Sequence, residues 1–135
     1  MAYVGKTYIV DRTENFEEFV KSLKIPDDLA NMILKSKTKQ TLQKNGDDYI
    51  LTTIFNDQRT VIANFKNGIE FEDTGGPKGA TKTIFTVEGN KVTQVQKFED
   101  GDIITFVREY YPDKLEVTIT GTCWPGTAKR YYVAK

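Results

Sequence analysis

Two arginines, Arg108 and Arg130, are the residues of this sequence whose surroundings most clearly indicate chemistry. Each lies in an alternating stretch that places it on one face with apolar and aromatic neighbours. If these faces point inward, each arginine buries a charge that it cannot lose, so an internal anion is required. A carboxylate would satisfy both guanidiniums through forked hydrogen bonds. Tyr132 shares the face of Arg130 and could donate its hydroxyl to the same oxygens.

The alternation alone leaves the direction of these faces open. The opposite face of the first stretch carries Ile103, Thr105 and Val107, and it is equally apolar. Both arginines could therefore face water and pair with surface glutamates. An internal anion site and a solvated face remain equal alternatives on the pattern.

Composition excludes most catalytic chemistry. The sequence has no histidine and a single cysteine, Cys123, so the commonest general base and Cys/His zinc sites are both missing. No enzyme activity, metal or cofactor is expected. The 19 basic residues balance 19 acidic ones, which gives no electrostatic case for binding nucleic acid.

The chain also shows no sign of export. No apolar run is long enough for a signal peptide or a membrane span, and one cysteine cannot form an internal disulfide. We expect a cytoplasmic monomer with one domain over residues 1–135.

Short turn signals divide most of the chain into strands. They predict an antiparallel meander that curls into a ten-stranded up-and-down β-barrel, a β-clam, too wide for side chains alone to fill. The predicted strands are 6–11, 38–44, 49–55, 60–65, 69–72, 81–87, 91–98, 103–110, 115–121 and 127–133. The glycine-rich stretch 74–79 lacks phosphate-loop spacing and is predicted to be a loop between strands.

Two short helices are predicted between the first two strands, over about residues 14–36. The first begins near Thr13-Glu14-Asn15 and has an apolar stripe that includes Phe16 and Val20. Pro26 suits the first turn of the second, which carries Leu29 on its apolar face. Each is too short to be stable alone, so both must pack on the sheet as a lid.

Several segments, in order along the whole chain, resemble the fatty-acid-binding protein family, and its insect-type members most closely. Tyr8 followed by Asn15-Phe16-Glu17 is similar to an N-terminal signature of that family. The segment 65–72 and Val107-Arg108-Glu109 are similar to two others, and Arg130-Tyr131-Tyr132 matches the family's Arg-x-Tyr. Further matches are 21–23 and 44–47.

The resemblance implies a β-barrel capped by a helix-turn-helix lid, with a water-containing cavity that carries a long-chain fatty acid without catalysis. It implies that Arg108, Arg130 and Tyr132 bind the ligand carboxylate. It further implies that Phe16, Val20 and Leu29 face the cavity and that Phe55 lies near a portal. Ordinary packing between lid and sheet is the alternative for these four apolar residues.

Two other functions remain open. Retinoic acid or another hydrophobic acid could replace a fatty acid, whereas retinol-type carriers tend to have glutamine in place of arginine. The lid could instead serve as an interaction module for a membrane or a protein partner. Lysines near it could attract anionic lipid headgroups, or could simply solvate a helical face. These are Lys21, Lys24, Lys35 and Lys37.

Overall fold

The computed structural model describes residues 2–73 and 78–135. Ten antiparallel strands form one sheet in the order β4-β3-β2-β1-β10-β9-β8-β7-β6-β5, and two helices follow β1. The elements are β1 Thr7–Glu14, α1 Phe16–Ser22, α2 Asp27–Lys35, β2 Thr38–Asn45, β3 Asp48–Phe55, β4 Arg59–Lys66, β5 Phe71–Asp73, β6 Thr81–Glu88, β7 Lys91–Phe98, β8 Ile103–Tyr110, β9 Lys114–Gly121 and β10 Trp124–Ala134. The prediction of a mainly β, lid-capped barrel is confirmed.

The barrel is nearly closed. The first and last strands pair along most of their length, while β4 and β5 occupy the two ends of the sheet order. No ladder joins β4 to β5 among the described residues. The meander therefore curls as predicted but keeps an opening between its two edge strands.

The boundary between β1 and α1 differs from the prediction. Thr13 and Glu14 continue β1, because they pair with Arg130 and Lys129 of β10 after a bulge near Asp11. Helix α1 begins at Phe16, after Asn15 adopts a left-handed φ of 56°. Pairing with a distant strand thus overrides the local helix signal.

Two other predicted boundaries also shift. Ile69 lies in a turn, where its N–H donates to the Lys66 carbonyl at 3.1 Å, so β5 begins only at Phe71. Strand β10 begins at Trp124, which pairs with Gly121 before an irregular register. Residues 74–77 of the predicted glycine-rich loop lie outside the described residues.

The core occupies one end of the barrel and the lid covers the other. Stacked aromatic rings fill the first end, including Tyr3 on Tyr110 at 4.4 Å and Phe65 on Phe85 at 4.1 Å. At the other end, α1 buries Phe16, Phe19 and Val20. Between the aromatic rings and the lid, the sheet encloses a space that side chains do not fill.

Candidate ligand-binding site

An internal cavity of about 260 Å³ lies between the lid and the inner face of the sheet. A single water needs only ~10–15 Å³ on this measure, so the space equals roughly twenty waters. The lining is mostly aliphatic and aromatic, with a few polar and charged side chains. An apolar cavity with a few convergent polar groups is the usual form of a small-molecule site.

Arg108 and Arg130 occupy the same row of the sheet. Both pair with Val117, Arg108 from β8 and Arg130 from β10, so all three side chains leave the same face. All three line the cavity. Two strand spacings separate the arginine Cα atoms by about 10 Å. One anion placed over Val117 can therefore reach both guanidiniums.

Arg108 is a buried cation without an anion. Arg108 is 8% exposed, and its Nε and Nη1 atoms have no hydrogen-bond partner. The nearest groups include two aromatic rings, Phe106 at 5.5 Å and Phe85 at 5.9 Å from the guanidinium carbon. Burial lowers the pKa of Arg108, although an arginine stays protonated at neutral pH. The site thus holds an uncompensated positive charge.

Arg130 lies nearer to the lid. Its guanidinium carbon is 4.2 Å from the Phe16 ring and 5.6 Å from the Tyr132 ring, and its Nε is buried without a partner. Phe16 and Arg130 also border a more open groove of about 470 Å³ between β1 and the helices. Among the described residues, no carboxylate forms an ion pair with either internal arginine.

Two tyrosines form the next row. Tyr110 and Tyr132 both pair with Leu115, one strand on either side. Tyr132 is 3% exposed and lines the cavity. The Tyr110 hydroxyl is buried without a partner, and burial raises the pKa of Tyr110. The Tyr110 phenol therefore stays neutral at pH 7 and keeps a proton to donate.

The apolar residues predicted to face the cavity lie along its wall. Phe16, Val20, Leu29 and Phe55 all line it. Phe16 and Val20 are at the same time part of the buried core, and the Phe16 and Phe19 rings stack at 6.3 Å. Facing the cavity and packing the lid onto the sheet are thus not exclusive alternatives for these two residues.

Several polar lining residues were not singled out from the sequence. Gln40 on β2 and Gln94 on β7 are buried and line the cavity, and the side-chain oxygen of Gln40 has no partner. Strand alternation could have found them, because each lies between inward residues of its strand: Thr38 and Leu42 for Gln40, Val92 and Gln96 for Gln94. Only the closed barrel shows which of these polar faces is internal.

The fold and this cavity define the class of protein, a lid-capped β-barrel whose internal cavity combines an apolar wall with two internal arginines. No family model matches the chain. Fatty acid-binding protein 2 of Manduca sexta is 43% identical over 135 residues, which cover 99% of this chain and 100% of that protein. The solved fatty-acid-binding protein from Manduca sexta superposes with a TM-score of 0.89 at 40% identity, over 98% of this chain and 99% of that one.

A fatty acid-binding protein from brain tissue of Drosophila melanogaster superposes with a TM-score of 0.88 at 34% identity, over 98% and 99% of the two chains. The chain belongs to the fatty-acid-binding protein family and is similar to its insect members. Proteins of this family are non-catalytic lipid carriers, so the expectation that the chain is not an enzyme is confirmed. No described helix is both long and apolar enough to span a membrane.

Proposed function

We propose that this chain is a single-domain cytoplasmic carrier, monomeric over residues 1–135, that holds one long-chain fatty acid inside the barrel. The carboxylate of the fatty acid lies between Arg108, Arg130 and the Tyr132 hydroxyl, and the tail of the fatty acid follows the apolar wall toward the lid. The observation that carries this proposal is the pair of internal guanidiniums without an acidic partner. The names of the relatives, which are fatty-acid-binding proteins, support it.

The electrostatic argument favours an anionic ligand over a neutral one. A buried cation without a partner costs several kcal/mol, and a ligand carboxylate would remove most of that cost. Charge-assisted hydrogen bonds to a carboxylate contribute about 1.5–3 kcal/mol each, whereas an alcohol supplies only neutral ones. Retinoic acid or another hydrophobic acid satisfies the same requirement, so ligand competition distinguishes these from a fatty acid.

Arg130→Gln is expected to weaken oleate binding about 10- to 100-fold, because it removes charge-assisted bonds and little apolar contact. The affinity for oleyl alcohol, which has the same tail, should fall less than about threefold. The measurement is displacement of a fluorescent probe from delipidated protein. Arg12→Gln is the matched control, since Arg12 lies on the outside, over the Tyr131 ring. Equal losses for acid and alcohol would place Arg130 outside the headgroup site.

We also propose that the lid makes transient contact with anionic membranes. Lys21 is already paired with Glu17 at 2.9 Å. Lys24, Lys35 and Lys37 are exposed, and no ion pair is formed by their ammonium groups within the described residues. Three unpaired cations at one end of the barrel would attract anionic headgroups.

Changing all three unpaired lysines to glutamine is expected to slow fatty-acid transfer to anionic vesicles at least about tenfold, with little change for neutral vesicles. The measurement is the transfer rate as a function of vesicle concentration. The control makes the same charge change by replacing three exposed lysines outside the lid with glutamine. These are Lys44, Lys82 and Lys114. A wild-type rate independent of vesicle concentration would argue against direct contact.

A further inference from the structure

A third arginine, Arg59, lines the same cavity. It begins β4 and pairs with Phe55 across the β3–β4 turn, so both side chains leave the same face of the sheet. Arg59 is exposed, whereas Arg108 is buried. A residue that both lines the cavity and meets solvent lies at its mouth.

Hydrogen bonds stabilise this turn and connect it to the lid. Asn56 and Asp57 have left-handed φ angles of 53° and 57°, and the Gln58 N–H donates to the Phe55 carbonyl at 3.0 Å. The Asn56 side-chain oxygen accepts a 2.8 Å hydrogen bond from the Lys37 N–H, which ties the turn to the end of the lid. Arg59 therefore projects from an anchored position.

The Arg59 guanidinium has no partner among residues 2–73 and 78–135, neither an ion pair nor a hydrogen bond. The nearby Asp57 is paired with Lys39 at 2.9 Å. Asp73, the acidic residue that lines the cavity from β5, makes an interaction of its own. The mouth thus presents a cation to whatever extends out of the cavity.

Arg59 and the internal arginines lie at different places along the cavity. Arg59 is exposed at the mouth on β4, four strands from β10 in the sheet order, whereas Arg108 is buried inside on β8. A single carboxylate at Arg108 and Arg130 leaves Arg59 without a partner. A second carboxylate at the far end of an elongated ligand would meet it.

We propose that the cavity accepts long-chain α,ω-dicarboxylates, with one carboxylate at Arg108 and Arg130 and the other at Arg59. This inference rests on the proposed function and extends it to a second ligand class. At a mouth without a cation, the second carboxylate would gain no partner for the water that it loses. At Arg59 the second carboxylate keeps part of its hydration and gains a cation.

The test measures two ligands against two proteins, hexadecanoate and hexadecanedioate binding to wild type and Arg59→Gln. In wild type, the two affinities should agree within about tenfold. Arg59→Gln should weaken the binding of hexadecanedioate about three- to fivefold, which is the size expected for one exposed ion pair. It should weaken the binding of hexadecanoate less than twofold. Arg59→Lys should recover part of the loss. Lys82→Gln, an exposed change of equal charge on β6, should affect neither ligand.

The outcomes separate this inference from the proposed function. Failure of hexadecanoate to bind wild type would overturn the proposed function itself. If hexadecanoate binds but hexadecanedioate binds more than about tenfold less tightly, the dicarboxylate inference alone is wrong. The inference is equally wrong if Arg59→Gln weakens the binding of both ligands alike, or of neither. The thermal transition of Arg59→Gln shows that this variant is folded.

Discussion

Val117→Asp is expected to abolish fatty-acid binding while leaving the protein folded. Val117 is 3% exposed and lies between Arg108 and Arg130 in the same row of the sheet. A carboxylate on this residue would occupy the position that we assign to the ligand headgroup. Directly opposed residues have Cβ atoms about 4.5–5.5 Å apart, so the aspartate reaches both guanidiniums.

The expected loss of oleate affinity is more than about a hundredfold, because the headgroup would lose its cations and meet a like charge. The free energy of unfolding should change by less than ~2 kcal/mol, since the new charge is compensated. Val117→Asn separates charge from shape and should retain part of the binding. Ile119→Asp is the stability control: Ile119 is 1% exposed between Phe106 and Ala128.

Because Ile119 lies one row away from the arginines, an aspartate there would be less well compensated and should destabilise the protein by more than ~3 kcal/mol. Denaturant unfolding and probe displacement measure the two effects. If Val117→Asp destabilises as much as Ile119→Asp, or still binds oleate like the wild type, the internal arginines are not available to an anion at this position.

Arg108→Leu is expected to stabilise the ligand-free protein and to weaken fatty-acid binding at the same time. The ligand-free protein bears the cost of a cation that is 8% exposed and has two unpartnered nitrogens. Replacing buried charged groups with apolar side chains of similar volume is often neutral or stabilising, by about 1–4 kcal/mol. The same change should lower the affinity for oleate about 10- to 100-fold.

Urea unfolding of delipidated protein, with and without saturating oleate, measures both quantities. Wild type should gain stability from oleate by mass action, about 2.7 kcal/mol at a hundredfold excess over Kd, and Arg108→Leu should gain much less. Arg12→Leu, on the outer face, should behave like wild type. A ligand-free Arg108→Leu protein less stable than wild type would contradict this prediction, because Arg108 would then support the fold itself.

Much of the architecture follows from local signals. The turn at Asn45-Gly46 joins β2 and β3 as predicted, because Gly46 adopts a left-handed φ of 64° and Asn45 pairs with Asp48. The predicted ends of helices and strands are wrong where pairing with a distant strand determines the end of an element. Thr13 and Glu14 resemble the start of a helix, yet they pair with β10, whose residues lie more than a hundred positions away.

The direction of the arginine faces could not be predicted for a similar reason. Both faces of β8 are rich in apolar residues, and only closure of the barrel decides which of them is internal. Arg59 was missed because nothing in its local sequence separates a cavity wall from a surface. Gln40 follows the alternation of β2, but alternation does not show which face of the strand is internal. Resemblance to known proteins supplied the missing orientation, and the structure places Arg108, Arg130 and Tyr132 on one inner face.

In the proposed function, the internal arginines hold the carboxylate of one fatty acid. The most direct measurement is the titration of delipidated protein with oleate, following displacement of an anionic fluorescent fatty-acid probe. We predict saturable displacement at one oleate per chain, with affinity in the micromolar range or tighter, and much weaker displacement by oleyl alcohol. Absence of saturable displacement, or equal displacement by acid and alcohol, would contradict the claim.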